Sequence, residues 1–176
     1  MIDIETLGTA PGSVIASIGA VEFDASNGEF GRQLYVIVDI ESAQRAGLTM
    51  DAATVKWWLQ QSDAARANTF ATGQHINMAL IDLQCFIENA EPTRIWAHSP
   101  SFDLVQLDAA YRKTDLRIPW TFRQHRDTRT LFDLTGVKIQ PNGTHHDALD
   151  DAKAQALAVV EAYRLLPPPV SREGGQ

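Results

Sequence analysis

The first 38 residues leave the chain little choice of architecture. Three apolar, β-branched-rich segments, Met1 to Glu5, Val14 to Asp24 and Gln33 to Val38, alternate with turn signals. Gly8-Thr9-Ala10-Pro11-Gly12 separates the first two, and Asn27-Gly28 lies between the second and third. Parallel strands need a crossover of about a dozen residues or more, whereas short turns of this kind join antiparallel neighbours. The segment therefore predicts a three-strand antiparallel meander.

Beyond it the pattern changes to helical. Asp51 to Gln61 has few breakers, and Ile76 to Ile87 places Ile76, Leu80, Leu83 and Ile87 on one face. Arg94 to Ala97 reads as a fourth strand, and Phe102 to Tyr111 as a helix with Leu104, Leu107 and Tyr111 in phase. Thr128 to Leu134 is a further short helix. Asp147 caps a last one running to about Leu166, with Asp150 in its first turn, before Pro167-Pro168-Pro169 stops it. A meander followed by alternating helices and strands predicts an α/β mixed sheet covered by helices on both faces. One domain over 1–166 and a disordered tail over 167–176 are expected.

Composition excludes several classes. No apolar run approaches the ~18–20 residues needed to span a bilayer. Cys85 is the only cysteine, so no internal disulfide or cysteine-rich metal site is available, and a reducing, cytoplasmic setting is expected. The net charge of −7 opposes indiscriminate binding to phosphate backbones. Against that background, Arg112, Lys113, Arg117, Arg123, Arg126 and Arg129 are opposed locally only by Asp115 and Asp127. Each could equally be part of a solvated face.

Chemistry concentrates in three places. Asp3 and Glu5, two apart on a strand, project from the same face and repel unless solvated or bridged by a cation. On its own the pair fits a solvent-facing strand. Asp103 follows the fourth strand and the polar loop His98-Ser99-Pro100-Ser101, where helix capping is the simpler role. His146-Asp147-Ala148-Leu149-Asp150-Asp151 puts His146 just outside a helix capped by Asp147, and Asp151 just past its first turn. His145 and Asp150 compete by spacing alone.

Together these pieces resemble the DEDDh 3′–5′ exonucleases, the family of polymerase proofreading subunits, RNase T and oligoribonuclease. Asp3-Ile4-Glu5-Thr6 matches the first motif, His98-Ser99-Pro100-Ser101-Phe102-Asp103 the second, and His146 with Asp151 five residues later the third. The motifs keep the family's order across nearly the whole chain. Thr54-Val55-Lys56-Trp57-Trp58 and the loop around Thr9, Pro11 and Gly12 look like a bacterial and phage branch containing exodeoxyribonuclease VIII-like proteins and RNase AS. Ser99 stands where many members carry Asn.

The resemblance implies a ribonuclease H-like fold with a mixed five-stranded sheet. It also implies metal-dependent hydrolysis at the 3′ end of single-stranded RNA or DNA, releasing nucleoside 5′-monophosphates. Two Mg²⁺ ions, replaceable by Mn²⁺, would be held by Asp3, Glu5, Asp103 and Asp151, with His146 as general base. Thr6, Leu7, Phe102 and Trp58 are candidate substrate contacts; the adjacent Trp57 and Trp58 cannot both face one way, and a place in the core is the default for each. Many relatives are dimers, so a homodimer is an expectation. A binding module of the same fold without turnover is the alternative, opposed by the presence of all five positions. A ribonuclease H-type endonuclease is disfavoured by the His-to-Asp spacing.

Overall fold

The meander forms as expected in the computed structural model, which describes residues 1–141, 143 and 146–167. Strands β1 (Ile2–Thr6), β2 (Ile15–Phe23) and β3 (Phe30–Ile37) pair antiparallel in the order β1-β2-β3. Asp3 lies opposite Gly19 and Glu5 opposite Ser17, with the register shifting between Glu5 and Thr6. The central strand β2 is buried from Ile15 to Val21. Both of its faces are covered, which is why it reads as a continuous apolar run and not an alternation.

Helices α1 (Ile40–Arg45), α2 (Ala52–Trp58), α3 (Asp63–Thr69) and α4 (Ile76–Ala90) follow the meander. Next come β4 (Ile95–Ala97), α5 (Asp103–Lys113), β5 (His125–Asp127), α6 (Thr128–Thr135) and α7 (Ala148–Leu165). The sequence did not announce α1, α3 or β5. Helix α1 depends on Asp39, whose carboxylate accepts the amides of Glu41 and Ser42. Helix α3 depends on Ser62, whose hydroxyl accepts the amide of Ala65 at 3.2 Å. Strand β5, His-Arg-Asp, has no apolar residue and becomes a strand only by pairing parallel with β4.

The five expected strands are thus present, but in two separately hydrogen-bonded ladders, with β4 lying beside β1. One core cluster joins β1 and β2 to α4 and α5 through Ile4, Ile18, Leu80, Leu83, Leu104 and Tyr111. A second joins the sheet to α6 and α7 through Val21, Leu131, Phe132, Ala152 and Val159. Among the described residues no helix is long and apolar enough to cross a membrane. The tail expected from residue 167 falls, from residue 168 on, outside the described residues.

Gly19 fixes the relation between sheet and last helix. A Cβ there would sit 2.2 Å from the carbonyl carbon and oxygen of Ala148 and 2.4 Å from the amide nitrogen of Leu149. The first turn of α7 therefore rests directly on β2, beside the strand that carries Asp3.

Candidate active site

Three separate parts of the chain meet at one cleft. Asp3 and Glu5 come from β1, Asp103 from the start of α5, and His146 and Asp151 from the N-terminal end of α7. All five line a cleft of ≈ 610 Å³. Gln155, one turn further along α7, donates from Nε2 to Asp3 Oδ1 at 2.7 Å. The Ser99 amide donates to Asp103 Oδ2 at 3.3 Å. Asp147 caps α7 as expected, its Oδ1 accepting the amides of Leu149 and Asp150 at 3.1 Å each.

The electrostatics of this cleft call for a cation. Desolvation, then the charges of Asp103 and Glu5, raises the Asp3 carboxyl well above its usual range. Glu5, only 9% exposed, is pushed up to about 8, by burial first and then by Asp151 and Asp103. Burial raises Asp103 to about 6, against the opposing pull of the Ser99 amide. Like charges crowded into a low-dielectric dent resist ionisation together. Carboxylate oxygens form a set that suits a hard divalent ion. Ligand atoms of Glu5, His146 and Asp151 lie within 4.8 Å of one another, a spacing that could hold one.

His146 is held in an unusual conformation. Its φ is +64°, a left-handed value that costs a non-glycine residue about 1–2 kcal/mol. Such strain persists where surrounding contacts over-determine it. The His146 amide donates to Asp151 Oδ2 at 3.1 Å, and the Thr69 hydroxyl donates to the His146 carbonyl at 3.3 Å. Asn68 Nδ2 donates to Asp147 Oδ2 at 3.2 Å, so the end of α3 grips this loop twice. The imidazole Nδ1 lies 3.8 Å from Glu5 Oε1, and the Trp57 ring meets the imidazole edge-on at 4.9 Å. His145, the competing histidine, lies outside the described residues.

The expected substrate contacts need correction. Trp58 is 2% exposed, and its indole N–H is committed to the Thr6 carbonyl at 2.9 Å, so it offers no open face to a base. Trp57 is 41% exposed and lines, with Thr6 and Phe102, a second groove beside the carboxylates. Helix phase puts its neighbour in the core and leaves Trp57 outside. Leu7 is also buried in the core, and Thr6 donates its hydroxyl to the Gly8 carbonyl, so neither is an exposed wedge. Of the four expected contacts, Phe102 is the one that borders both the cleft and the groove.

Two further residues line the cleft that the sequence does not place there. Nothing in the α7 sequence separates Gln155 from any other polar helical residue. Arg129 is the one member of the basic run that lines the cleft. His98 also lines the cleft, its Nδ1 within 2.8 Å of the Thr128 hydroxyl.

With this geometry in view, likeness to known proteins becomes specific. A family model described as the 3′–5′ exoribonuclease Rv2179c-like domain matches residues 1–163. No curated protein matches the chain in sequence. Among solved structures, the nuclease domain of 3′hExo, a DEDDh family member bound to rAMP, is similar at a TM-score of 0.61 and 12% identity. That likeness covers 93% of this chain and 90% of the other. Cell-death related nuclease 4 (CRN-4) is similar at a TM-score of 0.64 and 13% identity, over 93% of this chain. The chain spans only 63% of CRN-4. At these identities the two neighbours establish the shared ribonuclease H-like architecture, and the family model carries the assignment: the chain belongs to the Rv2179c-like family of 3′–5′ exoribonuclease domains.

Proposed function

We propose that this chain hydrolyses the terminal phosphodiester bond at the 3′ end of single-stranded RNA, releasing nucleoside 5′-monophosphates. The observation that carries this reading is the convergence of Asp3, Glu5, Asp103, His146 and Asp151 on one cleft, in a chain of an exoribonuclease family. Asp3, Glu5, Asp103 and Asp151 are the residues that would hold two divalent ions, Mg²⁺ with Mn²⁺ as substitute. When bound, such ions lower the pKa of water and stabilise charge on the leaving oxygen. Gln155 fixes the Asp3 carboxylate from behind. His146 takes the proton from the attacking water, a duty for which imidazole, ordinarily titrating near pH ~6.5, is matched to neutral conditions. The contacts from Thr69 and Asp151 fix the His146 backbone, and Trp57 packs edge-on against the ring.

His146→Ala is expected to lower kcat by about 10²-fold or more, the usual contribution of a positioned general base. The thermal shift on adding Mg²⁺ should survive in that variant. Loss of the shift would make His146 a ligand, and normal turnover with a defect in His145→Ala instead would transfer the role to the neighbouring histidine.

Trp57 is the residue proposed to stack on a base of the single strand, an interaction worth ~1–3 kcal/mol. Trp57→Ala should therefore raise KM about tenfold, and Trp57→Phe should restore most of it. Trp58→Ala should act on stability, at ~3–5 kcal/mol for an emptied indole site. Steady-state kinetics paired with thermal melts separates the two, and a KM effect confined to Trp58 would reverse the assignment.

A further inference from the structure

The carboxylates that suit the cleft to metal ions make it hostile to its own substrate, a polyanion. Among the described residues Arg129 is the only lysine or arginine lining it. Its backbone is fixed: the Arg129 amide donates to Asp127 Oδ1 at 3.0 Å, and the preceding Thr128 is fully buried and bonded to His98. Its side chain is exposed, and among the described residues its guanidinium makes no hydrogen bond or ion pair. Three others of the basic run are differently employed. Arg112 and Arg117 pair with Asp108 and Glu88, and Arg126 donates to the carbonyls of Arg123 and His125. A rigid root bearing an uncommitted guanidinium at the rim of an acidic cleft is suited to bidentate capture of a phosphate.

Resting on the exonuclease reading above, we propose that Arg129 is a substrate-binding residue, its guanidinium holding a phosphate of the RNA strand as the 3′ end enters the cleft. One cation set against several carboxylates admits a phosphate without making the cleft a general polyanion trap.

The test is binding and kinetics on Arg129→Ala, Arg129→Lys and the control Arg112→Ala, whose parent residue does not line the cleft. Binding is read by anisotropy of a 5′-fluorescein-labelled single-stranded oligoadenylate, with Ca²⁺ replacing Mg²⁺, over a series of salt concentrations. Arg129→Ala should weaken binding and raise KM at least tenfold, as expected for a charge-assisted hydrogen bond. The slope of log affinity against log salt should fall by about 0.7, the counterion release of one single-strand phosphate. Arg129→Lys should restore the slope but only part of the affinity, because an ammonium lacks the planar fork. Arg112→Ala should match the parent in both.

Parent affinity and salt slope in a folded Arg129→Ala would overturn the proposal. So would a fall in kcat with KM and slope unchanged, which would place Arg129 in support of Asp103 and not on the strand. If the parent protein binds the oligonucleotide but never shortens it in Mg²⁺ or Mn²⁺, the exonuclease reading fails, while the salt slopes still decide the role of Arg129.

Discussion

Asp3→Ala is expected to lower exonuclease turnover by on the order of 10⁴-fold, the rate equivalent of several kcal/mol of lost charge stabilisation. It should also remove most of the stabilisation that Mg²⁺ confers on the fold. Asp3 feels Asp103, Glu5 and Asp151 and is held by Gln155, so it sits where the acidic charges of the cleft converge. The same crowding fixes a pH signature of the metal-free protein. Glu5 loses its proton near pH 8 in the folded chain, against an ordinary 4.5, and Asp103 near 6, against 3.8. The folded state therefore retains protons that the unfolded chain has released. Stability is greatest at acidic pH and falls as pH rises from about 4 to about 8, by at most ~1.4 kcal/mol per pH unit for each such group. Mg²⁺ should raise the melting temperature more at pH 8 than at pH 6, and Asp3→Ala should flatten that difference. A metal-free melting temperature that climbs from pH 5 to 8, or a full Mg²⁺ shift in the variant, would contradict the account.

Gly19→Ala should be nearly as damaging although residue 19 touches no substrate. The added methyl would meet backbone atoms of Ala148 and Leu149 at 2.2–2.4 Å, well inside van der Waals contact, and no side-chain rotation relieves it. Helix α7 must lift from β2, taking His146 and Asp151 away from Asp3 and Glu5. Overpacking typically costs ~1–3 kcal/mol, and a backbone collision belongs at the upper end, so a drop in melting temperature on the order of 10 °C is expected. Activity should fall further than the unfolded fraction explains, because the folded remainder holds its catalytic groups apart. Parent-like melting and turnover in Gly19→Ala would show that the approach of α7 to the sheet does not govern the site.

What the sequence shows of this molecule follows from how local each signal is. The meander is readable because Asn27-Gly28 and the Gly8–Gly12 turn fix strand direction within a few residues. The start of α7 is readable because Asp147 caps it and the apolar pattern begins at once. Asp3, Glu5, Asp103, His146 and Asp151 are recognisable as a set from motif order, and the fold brings them to one cleft. Features decided by tertiary pairing are not readable in this way. Strand β5 consists of His125, Arg126 and Asp127 and exists because β4 lies alongside. The choice between Trp57 and Trp58 turns on the rotational phase of α2, which its seven residues leave open. Thr69 and Asn68 grip the His146 loop from more than 75 residues away in the chain, through a helix too short to leave a periodic signal.

The most direct measurement is digestion of matched single-stranded RNA and DNA oligonucleotides carrying a 5′ label, in Mg²⁺, in Mn²⁺ and in chelator, with Asp3→Ala as control. Stepwise shortening of the RNA from its 3′ end, dependent on metal and lost in the variant, is the expected result. Internal fragments at the earliest times, shortening of DNA alone, or intact oligonucleotides under every metal would contradict it.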